Sequence, residues 1–268
     1  MTLTKLTTRI VDKPWGRVGI DPRFGADPKE QIGEIWFEAA DGRPLEVMAK
    51  YLFTTERLSI QVHPDDATAH ARGKRSGKTE CWIVLEASDD AELGIGTKRV
   101  VAADELIAAA RDGSIVDLID WRKPAVGDFI YNPAGTIHAL GAGLTVLEVQ
   151  QAIDLTYRLY DYGRPRELHL DEARDVVHAE PHHDPLDRPI DRNRTRILAD
   201  QGAFGLAWCH RSAPPIGAKA ELQLLPIDAA MTVDGERLNP GECALYDGDP
   251  AALASEGNFV LAWSREAS

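Results

Sequence analysis

Cysteine is scarce in this sequence: the three cysteines, at positions 81, 209 and 243, lie far apart and form no C-x-x-C pair. An odd number of widely spaced cysteines argues against a disulfide framework and against a cysteine-ligated zinc site. Such usage is typical of proteins in a reducing compartment, so we expect a cytoplasmic protein.

Long apolar runs and basic residues are scarce as well. No stretch reaches the length needed to span a membrane, and the first segment, MTLTKLTTRIVDKPWG, contains no long apolar run. Thirty lysines and arginines stand against 43 acidic residues, which gives a net charge of −13 with neutral histidines. Because a surface of this sign repels nucleic acids and anionic membranes, we expect neither as a partner. An anionic substrate would have to be held by a few specific cations.

Short strand patterns, in contrast, are abundant, and they are separated by Gly, Pro, Asp and Asn. The predicted strands lie at 33–38, 46–53, 57–63, 80–86, 128–132, 144–151, 204–211, 219–225, 242–246 and 258–263. This spacing predicts a mainly all-β sandwich or barrel rather than alternating βαβ units. Two segments, 102–113 and 168–180, have the residue types and spacing of helices.

The segment GDFIYNPAGTIHAL contains Gly127, Pro133, Gly135 and His138 in the pattern G-x5-P-x-G-x2-H. The pattern describes a strand, a Pro-x-Gly reversal and a histidine that returns to the interior of a barrel. It resembles the second motif of the cupins, and it is far more specific than a lone histidine. The resemblance implies a double cupin, with two jelly-roll barrels and a few short helices.

The segment LSIQVHPDD alternates apolar residues with Ser59, Gln61 and His63. A period of two sends these polar side chains to one face of a strand, which either faces water or lines a site. QVH stands where the first cupin motif has H-x-H, and Glu80 in GKTECWIVLEA follows it. We therefore expect Gln61, His63, Glu80 and His138 to converge around one divalent metal ion, with zinc as the expected ion.

The segment PHHDPLDRPIDRN, rich in proline and aspartate, predicts a domain boundary. We expect a catalytic metal-binding domain over residues 1–180, with a small helical insertion at about 102–113, and a second domain over 190–268. In the second domain, LNPGECALYDGDP has neither the Pro-x-Gly turn nor the returning histidine. It is expected to be a degenerate cupin-like β domain without a metal.

Several segments together resemble type I phosphomannose isomerase (mannose-6-phosphate isomerase) in its short bacterial form. They are KPWG, GEIWFEAA, LSIQVHPDD, GKTECWIVLEA and NPAGTIHALGAGLTVLEVQQAIDLTYRLYDYGR, which fall within residues 13–180. The resemblance implies a metal-dependent aldose–ketose isomerase that interconverts mannose 6-phosphate and fructose 6-phosphate through a cis-enediol(ate). It places the family's metal ligands on the same four residues.

The resemblance also implies catalytic residues outside the metal site. Lys78, two residues before the glutamate ligand, could exchange protons, and Arg158 could hold negative charge on oxygen, with Asp161 close behind it. The group that takes the C2 proton is left open. Lys78 and a metal-bound hydroxide are the two contenders, with Asp161 and Glu148 after them.

The phosphate of such a substrate needs hydrogen-bond donors of its own. Ser59, on the polar face of its strand, and the basic loop RGKRSGK, with Lys74 and Arg75, are the predicted donors. For the two loop cations, a purely solvated surface is an equal alternative.

Two departures and two alternatives accompany this prediction. Many family members have a histidine, proposed to help open the sugar ring, where this chain has Gly77, and residues 190–268 match only weakly. One alternative is a cupin iron oxygenase, although Gln61 argues against it because such sites favour histidine-rich ligation. The other is a non-catalytic sugar-binding cupin, which would have no need of both Lys78 and Arg158.

Overall fold

The computed structural model describes residues 2–217 and 221–265, and within them the chain forms three large antiparallel β-sheets. The central sheet has the strand order β15 (Arg188–Pro189), β11 (Asp128–Asn132), β8 (Glu80–Ala87), β13 (Leu144–Gln151), β6 (Val47–Phe53), β5 (Glu34–Glu38) and β2 (Thr7–Val11). The outer sheet has the order β10 (Ile119–Arg122), β9 (Leu93–Thr97), β12 (His138–Leu140), β7 (Ile60–Val62) and β14 (Tyr157–Tyr160).

The third sheet, called the C-terminal sheet, has the order β1 (Leu3–Lys5), β21 (Ala244–Tyr246), β18 (Leu222–Pro226), β22 (Ala254–Ser264), β17 (Phe204–Ser212) and β16 (Arg196–Gln201). Two small ribbons pair β3 (Arg17–Val18) with β4 (Gln31–Ile32) and β19 (Met231–Val233) with β20 (Glu236–Leu238). The helices are α1 (Asp66–Ala71), α2 (Ala103–Asp112), α3 (Ile115–Leu118) and α4 (Leu170–Arg174), with 3₁₀ turns at Pro22–Phe24 and Pro250–Ala252. The prediction of a mainly β chain with a few short helices is confirmed.

The alternation of side chains along each strand gives the central sheet two different faces. On one face, Tyr51 and Ile83 belong to a core that also contains Trp208 and Val260 of the C-terminal sheet. The opposite face looks into the space between the central and outer sheets, which we call the first barrel. Each large apolar side chain buried in such a layer stabilises the fold by roughly 1.5–3 kcal/mol.

Inside the first barrel, an apolar cluster fills only part of the space. Leu52 and Trp82 of the central sheet share this cluster with Ile95 and Leu140 of the outer sheet. The rest of the interior is polar. The polar part of the first barrel is therefore available for a binding or catalytic site.

The outer sheet is covered on its far side by helices. Leu106 and Ile107 of α2 join a core with Ile60 and Val62 of β7. The helix ends at Gly113, whose φ of 87° is the left-handed conformation that glycine adopts readily. The helix predicted at 102–113 is confirmed.

The helix predicted over 168–180 is wrong beyond its first part, because the structure has only α4, Leu170–Arg174. After α4 the chain becomes extended and hydrogen-bonds to neighbouring loops. The amide of His178 donates to the carbonyl of Gly135 at 2.7 Å, and the carbonyls of the next two residues accept from two other segments. Tertiary hydrogen bonds thus override the local helical spacing.

The sheets cross the domain boundary predicted between residues 180 and 190. Strand β1, at the start of the chain, pairs with β21 of the C-terminal sheet, and β15 pairs with β11 of the central sheet. The two-domain division stays a prediction. Among the described residues, no helix has both the length and the apolar character needed to cross a bilayer.

Candidate active site

Three potential metal ligands, His63, Glu80 and His138, meet inside the first barrel. Their donor atoms all lie within 4.8 Å of one another. The side chains are only 1–2% exposed. The sequence prediction that these three residues converge agrees with this arrangement.

The register of the strands explains how distant residues come together. On the outer sheet, Gln61 of β7 is paired with His138 of β12 on one side and with Arg158 of β14 on the other. On the facing central sheet, Glu80 begins β8 opposite Asn132 of β11. The Asn132 side-chain amide donates to Glu80 Oε1 at 2.9 Å, and this hydrogen bond orients the carboxylate.

Backbone carbonyls orient both imidazole rings. His63 Nδ1 lies 2.8 Å from the carbonyl of Leu155, and His138 Nδ1 lies 2.9 Å from the carbonyl of Thr136. Because a carbonyl can only accept, each Nδ1 carries the proton, and in a neutral ring Nε2 has a free lone pair. Both Nε2 atoms face Glu80, which is the orientation found in metal-ligating histidines.

The electrostatics of the site favour the metal-binding forms of these groups. Burial and the charge of Lys78 lower the pKa of His63 to about 3, so its ring is neutral at physiological pH. Burial alone would raise the pKa of Glu80, but the charge of Lys78, with the contacts from His63 and His138, outweighs burial and holds it well below its ordinary value. A neutral imidazole and an ionised carboxylate are the forms that bind a metal.

The contacts within the cluster also suit a cation. Glu80 Oε2 is 3.3 Å from His63 Nε2, and Glu80 Oε1 is 3.2 Å from His138 Nε2. With lone pairs on both partners, these are contacts between acceptors, which are repulsive unless a cation lies near them, as Lys78 Nζ does at 3.3 Å from His63 Nε2. Glu80 Oε2 is buried and has no hydrogen bond, and its ion-pair partner, Lys78 Nζ, lies 3.1 Å away. The donors present therefore fit a divalent ion that takes nitrogen and oxygen ligands at about 2.0–2.2 Å.

Gln61 borders the cluster with its amide group. Its Nε2 lies 3.2 Å from His138 Nε2, and its Oε1 accepts from Ser59 Oγ at 3.0 Å. A half-turn of the amide exchanges the two atoms, directs Oε1 toward the other donors and still leaves Ser59 a partner. Gln61 is thus close enough to act as the predicted fourth ligand, and that role stays a prediction.

Gln61, Glu80 and His138 lie on the wall of a cleft of about 600 Å³, a volume that includes space open to solvent. Three tryptophans, Trp15, Trp36 and Trp82, contribute flat apolar surface to it. Its charged lining residues other than the cluster are Lys13, Glu34, Lys50, Lys78, Glu148, Asp154, Arg158 and Arg166. The cleft therefore combines apolar faces with charges of both signs.

A row of alternating charges runs along the wall formed by the central sheet, in the order Lys13, Glu34, Lys50, Glu148, Lys78 and Glu80. Successive nitrogen–oxygen separations are 3.5, 3.6, 3.0, 3.9 and 3.1 Å. Burial and the charge of Glu80 raise the pKa of Glu148, against the effect of the two neighbouring lysines. Every lysine of the row has a carboxylate partner, so none of the three is an unpaired cation.

Arg158 differs from these lysines. Within residues 2–217 and 221–265 its guanidinium makes no hydrogen bond or ion pair, and its Nε is buried without a partner. Burial and the neighbouring charge of Arg166 lower the pKa of Arg158. Unsatisfied donors on a desolvated cation favour an anionic ligand.

Asp161, a predicted catalytic residue, is not among the residues that line the cleft. It is buried, and its carboxylate binds Arg164 and Arg166. No ion pair joins it to Arg158 in the described part of the chain. Its predicted catalytic role stays a prediction.

The two loop cations predicted to bind phosphate also lie away from the cleft lining. Lys74 is exposed, whereas the Arg75 guanidinium donates to the carbonyls of Leu45 and Ala152 at 2.7 and 2.6 Å. Ser59, in contrast, lines the cleft beside Gln61. The phosphate role of Lys74, Arg75 and Ser59 stays a prediction.

Sequence reasoning missed several residues of the cleft, notably Lys50, Glu34 and Arg166. A signal existed for the first two, because Lys50 is the single charge within VMAKYLF and Glu34 directly precedes the apolar run of GEIWFE. A charge on the core side of a strand is rarely tolerated without a partner or a function. Arg166 follows an irregular turn and carries no such signal.

The position of Gly77 explains why this chain lacks a side chain before Lys78. A Cβ atom at residue 77 would lie 2.4–2.6 Å from backbone atoms of the segment Pro64–Asp66. The Gly77 amide also donates to Asp66 Oδ1 at 2.7 Å. The local backbone therefore has no room for a histidine at this place.

Fold and site together define a class: a mainly β, cupin-like chain whose first barrel carries a histidine–carboxylate group that could hold a metal ion beside a charged cleft. No protein-family model matches the chain. The probable mannose-6-phosphate isomerase GmuF of Bacillus subtilis is 34% identical over 219 residues, which cover 66% of this chain and 69% of that protein.

Solved structures agree with that match. The mannose 6-phosphate isomerase of Bacillus subtilis superposes with a TM-score of 0.81 and 26% identity, over 98% of this chain and 99% of the other. A zinc-bound holo mannose 6-phosphate isomerase shares the fold with a TM-score of 0.70 and 15% identity, over 99% of this chain and all of the other (100%). The chain belongs to the mannose-6-phosphate isomerase family.

Proposed function

We propose that this chain interconverts mannose 6-phosphate and fructose 6-phosphate. The observation that carries the proposal is the convergence of His63, Glu80 and His138 inside the first barrel, where Glu80 and His138 line a charged cleft. Relatives named mannose-6-phosphate isomerase, at 33–38% identity, supply the substrate class. The reaction requires an opened sugar, a proton moved between C1 and C2, and stabilisation of charge on O1 and O2.

We propose that one divalent ion, zinc, binds to His63, Glu80, His138 and Gln61. The nitrogen and oxygen donors suit zinc, and a protein of the same fold has been solved with zinc bound. An ion held there would supply Lewis-acid stabilisation of the negative charge that develops on the substrate oxygens, typically worth several kcal/mol.

The proposed phosphate site lies at the arginine end of the cleft, at Arg158 and Arg166. Arg158 has unsatisfied donors, and Arg166 lies close enough to lower its pKa. Two adjacent guanidiniums match a phosphate dianion in charge and in hydrogen-bond geometry. With the phosphate bound there, the other end of an extended hexose phosphate would lie toward the metal ligands.

In this orientation the reacting carbons lie along the row of alternating charges. Lys78 Nζ, 3.1 Å from Glu80 and 3.9 Å from Glu148, is our proposed proton carrier between C1 and C2. Glu148, whose pKa is raised by burial and by Glu80, is the second candidate. Trp15, Trp36 and Trp82 line the same cleft and add apolar surface to it.

A coupled assay with mannose 6-phosphate tests the proposal. We expect turnover by the purified protein, loss of turnover with a chelator, and recovery on adding zinc. Absence of turnover in the zinc-loaded protein would overturn the proposal. Oxygen uptake in the same preparation would point to the oxygenase alternative instead.

The cytoplasm remains our proposed compartment, and a small phosphosugar is the proposed partner. The three cysteines, all within the described residues, are buried and unpaired. Unpaired thiols are typical of a reducing compartment.

A further inference from the structure

Asp161 is buried directly after β14, and its carboxylate receives four hydrogen bonds from two guanidiniums. Arg164 donates from Nε and Nη2 to Oδ1 at 3.1 and 2.8 Å. Arg166 donates from Nε to Oδ2 at 2.6 Å and from Nη2 to Oδ1 at 2.7 Å. We call these three residues the arginine clamp.

The backbone of the turn fixes one side of the arginine clamp. Tyr162 and Gly163 have φ values of 55° and 78°, which reverse the chain so that the Arg164 amide donates to the carbonyl of Asp161 at 3.0 Å. Arg164 Nη2 also donates to the carbonyl of Arg57 at 2.7 Å. Arg164 is therefore tied to the protein and does not line the cleft.

Arg166, on the other side of the clamp, does line the cleft, together with Arg158. Its two bonds to Asp161 use Nε and Nη2, so Nη1 has no hydrogen bond to any residue in the described ranges. A free arginine side chain samples many rotamers and would be repelled by Arg158. The bidentate contact with Asp161 removes most of that freedom.

We propose that Asp161 is a positioning residue that holds the Arg166 guanidinium beside Arg158, so that both meet the substrate's phosphate. This inference rests on the proposed function, because it takes the arginine end of the cleft as the phosphate site. It gives Asp161 a role that does not require contact with the reacting carbons. It also explains a carboxylate placed next to a site for an anion, where charge alone would be unfavourable.

The direction in which Asp161→Asn changes the affinity for phosphate distinguishes a positioning role from that of a simple counter-charge. Asp161→Asn makes the site more positive by one charge, so if Asp161 were only a counter-charge, phosphate would bind more tightly. If Asp161 positions Arg166, binding weakens in spite of the added charge. We expect about a tenfold weaker Kd for inorganic phosphate in the zinc-loaded protein, the loss typical of one hydrogen bond to a charged group. The KM for mannose 6-phosphate should rise by a similar factor, with kcat within about threefold.

Glu56→Gln is the matched control. Glu56 lies 3.6 Å from Arg164, its side chain is 63% exposed, and it makes no contact with Asp161 or Arg166. The substitution removes the same charge from the same group of arginines but leaves the clamp intact. We expect phosphate affinity within about twofold of the parent protein, as for other exposed ion pairs.

A double-mutant cycle shows whether Asp161 acts through Arg166. Phosphate affinity in Asp161→Asn/Arg166→Ala should equal that of Arg166→Ala alone, whereas independent effects would add and would contradict the proposal. If Asp161→Asn does not fold, Arg166→Lys replaces it, because lysine keeps the charge but cannot bind Asp161 bidentately. Affinity for phosphate should then fall toward that of Arg166→Ala; unchanged affinity would overturn the proposal.

Calorimetric titration with inorganic phosphate needs no turnover, so the two proposals fail separately. Weaker phosphate binding in the clamp variants of a protein that does not isomerise mannose 6-phosphate would remove the proposed function and keep the positioning role. If the protein turns over mannose 6-phosphate but Asp161→Asn binds phosphate as tightly as the parent protein or more tightly, the proposed function is kept and the positioning role is removed.

Discussion

The two β-structured halves of this molecule fill their interiors differently. In the C-terminal half, the interior behind the C-terminal sheet is an apolar cluster that contains Leu224, Leu238 and Phe259. In the first barrel, comparable inward positions are occupied by Lys50 and Glu148, and apolar residues fill only the remainder. The comparison teaches that sheet architecture sets which positions point inward, while the chemistry of those positions decides between a core and a site.

Burying charge costs several kcal/mol per ion, so the row of alternating charges in the first barrel is tolerated only because its members are paired. The alternating row from Lys13 to Glu80 gives each lysine a carboxylate. The apolar cluster behind the C-terminal sheet carries no such cost. Substitutions should therefore damage chemistry in one half and stability in the other.

The largest effect is expected from a metal ligand. Glu80→Gln keeps the volume of the side chain but removes the carboxylate, so we expect loss of bound zinc and a fall in turnover of at least about a thousandfold. Metal content and the coupled assay measure both. Glu221→Gln, a buried carboxylate of the C-terminal half that accepts from the amides of Glu46 and Val47, is the control and should keep its metal and its turnover.

The next largest effect separates the metal from the proton carrier. Lys78→Met should lower kcat by about 100- to 10,000-fold, as expected for loss of a general acid–base, while one zinc ion stays bound. Full activity in this variant would remove Lys78 from the mechanism. Loss of the metal would show instead that Lys78 is needed to hold Glu80 in place.

The C-terminal half should respond to a core substitution in the opposite way. Leu238 is fully buried, so Leu238→Ala should reduce the free energy of unfolding by about 2–5 kcal/mol. Zinc content and kcat of the folded fraction should be unchanged. Chemical denaturation measures the free energy of unfolding, and the coupled assay measures kcat. A parallel loss of kcat would contradict the expectation, because the C-terminal core would then affect the chemistry of the first barrel as well as stability.

The smallest effect is expected for Glu34, which lies near the Lys13 end of the row of alternating charges. Its contribution to stability should depend on pH. Burial alone would raise the pKa of Glu34, but the charges of Lys50 and Lys13 outweigh it and lower the pKa. A lowered carboxyl pKa stabilises the fold above the unfolded-state pKa, near 4.3, and this stabilisation is lost as the pH falls through the folded-state value. Glu34→Gln should thus be less stable than the parent protein at pH 7, and the difference should shrink in acid.

Urea denaturation of both proteins between neutral and acid pH measures this convergence. A stability difference that stays constant down to the lowest pH would mean that the charge of Glu34 contributes nothing. It would leave only its hydrogen bond from Trp36 as the source of stabilisation.

The sequence predicted the metal cluster because its residues belong to motifs whose spacing follows the strand period and the Pro-x-Gly turn. His63 and His138 come from such motifs; His63 directly follows β7, His138 begins β12, and the two strands pair antiparallel. The helix at 102–113 was predictable because its pattern is local. The prediction of a helix beyond Arg174 was wrong because the residues there hydrogen-bond to distant segments of the chain, which local spacing does not reveal.

The arginine end of the cleft was harder to predict. Arg166 is brought beside Arg158 by an irregular turn with two left-handed residues, and its direction is set by a carboxylate five positions earlier. A basic loop in the sequence, with Lys74 and Arg75, gave a stronger charge signal but does not line the cleft. Charge clustering along the chain is a weaker guide than pairing across strands.

Anomalous scattering at the zinc edge, from crystals of the zinc-loaded protein, tests the central claim most directly. The account predicts one strong peak inside the first barrel, within about 2.0–2.2 Å of Nε2 of both His63 and His138 and of a Glu80 oxygen. A peak elsewhere, or an active protein with no ion between these three side chains, would contradict it.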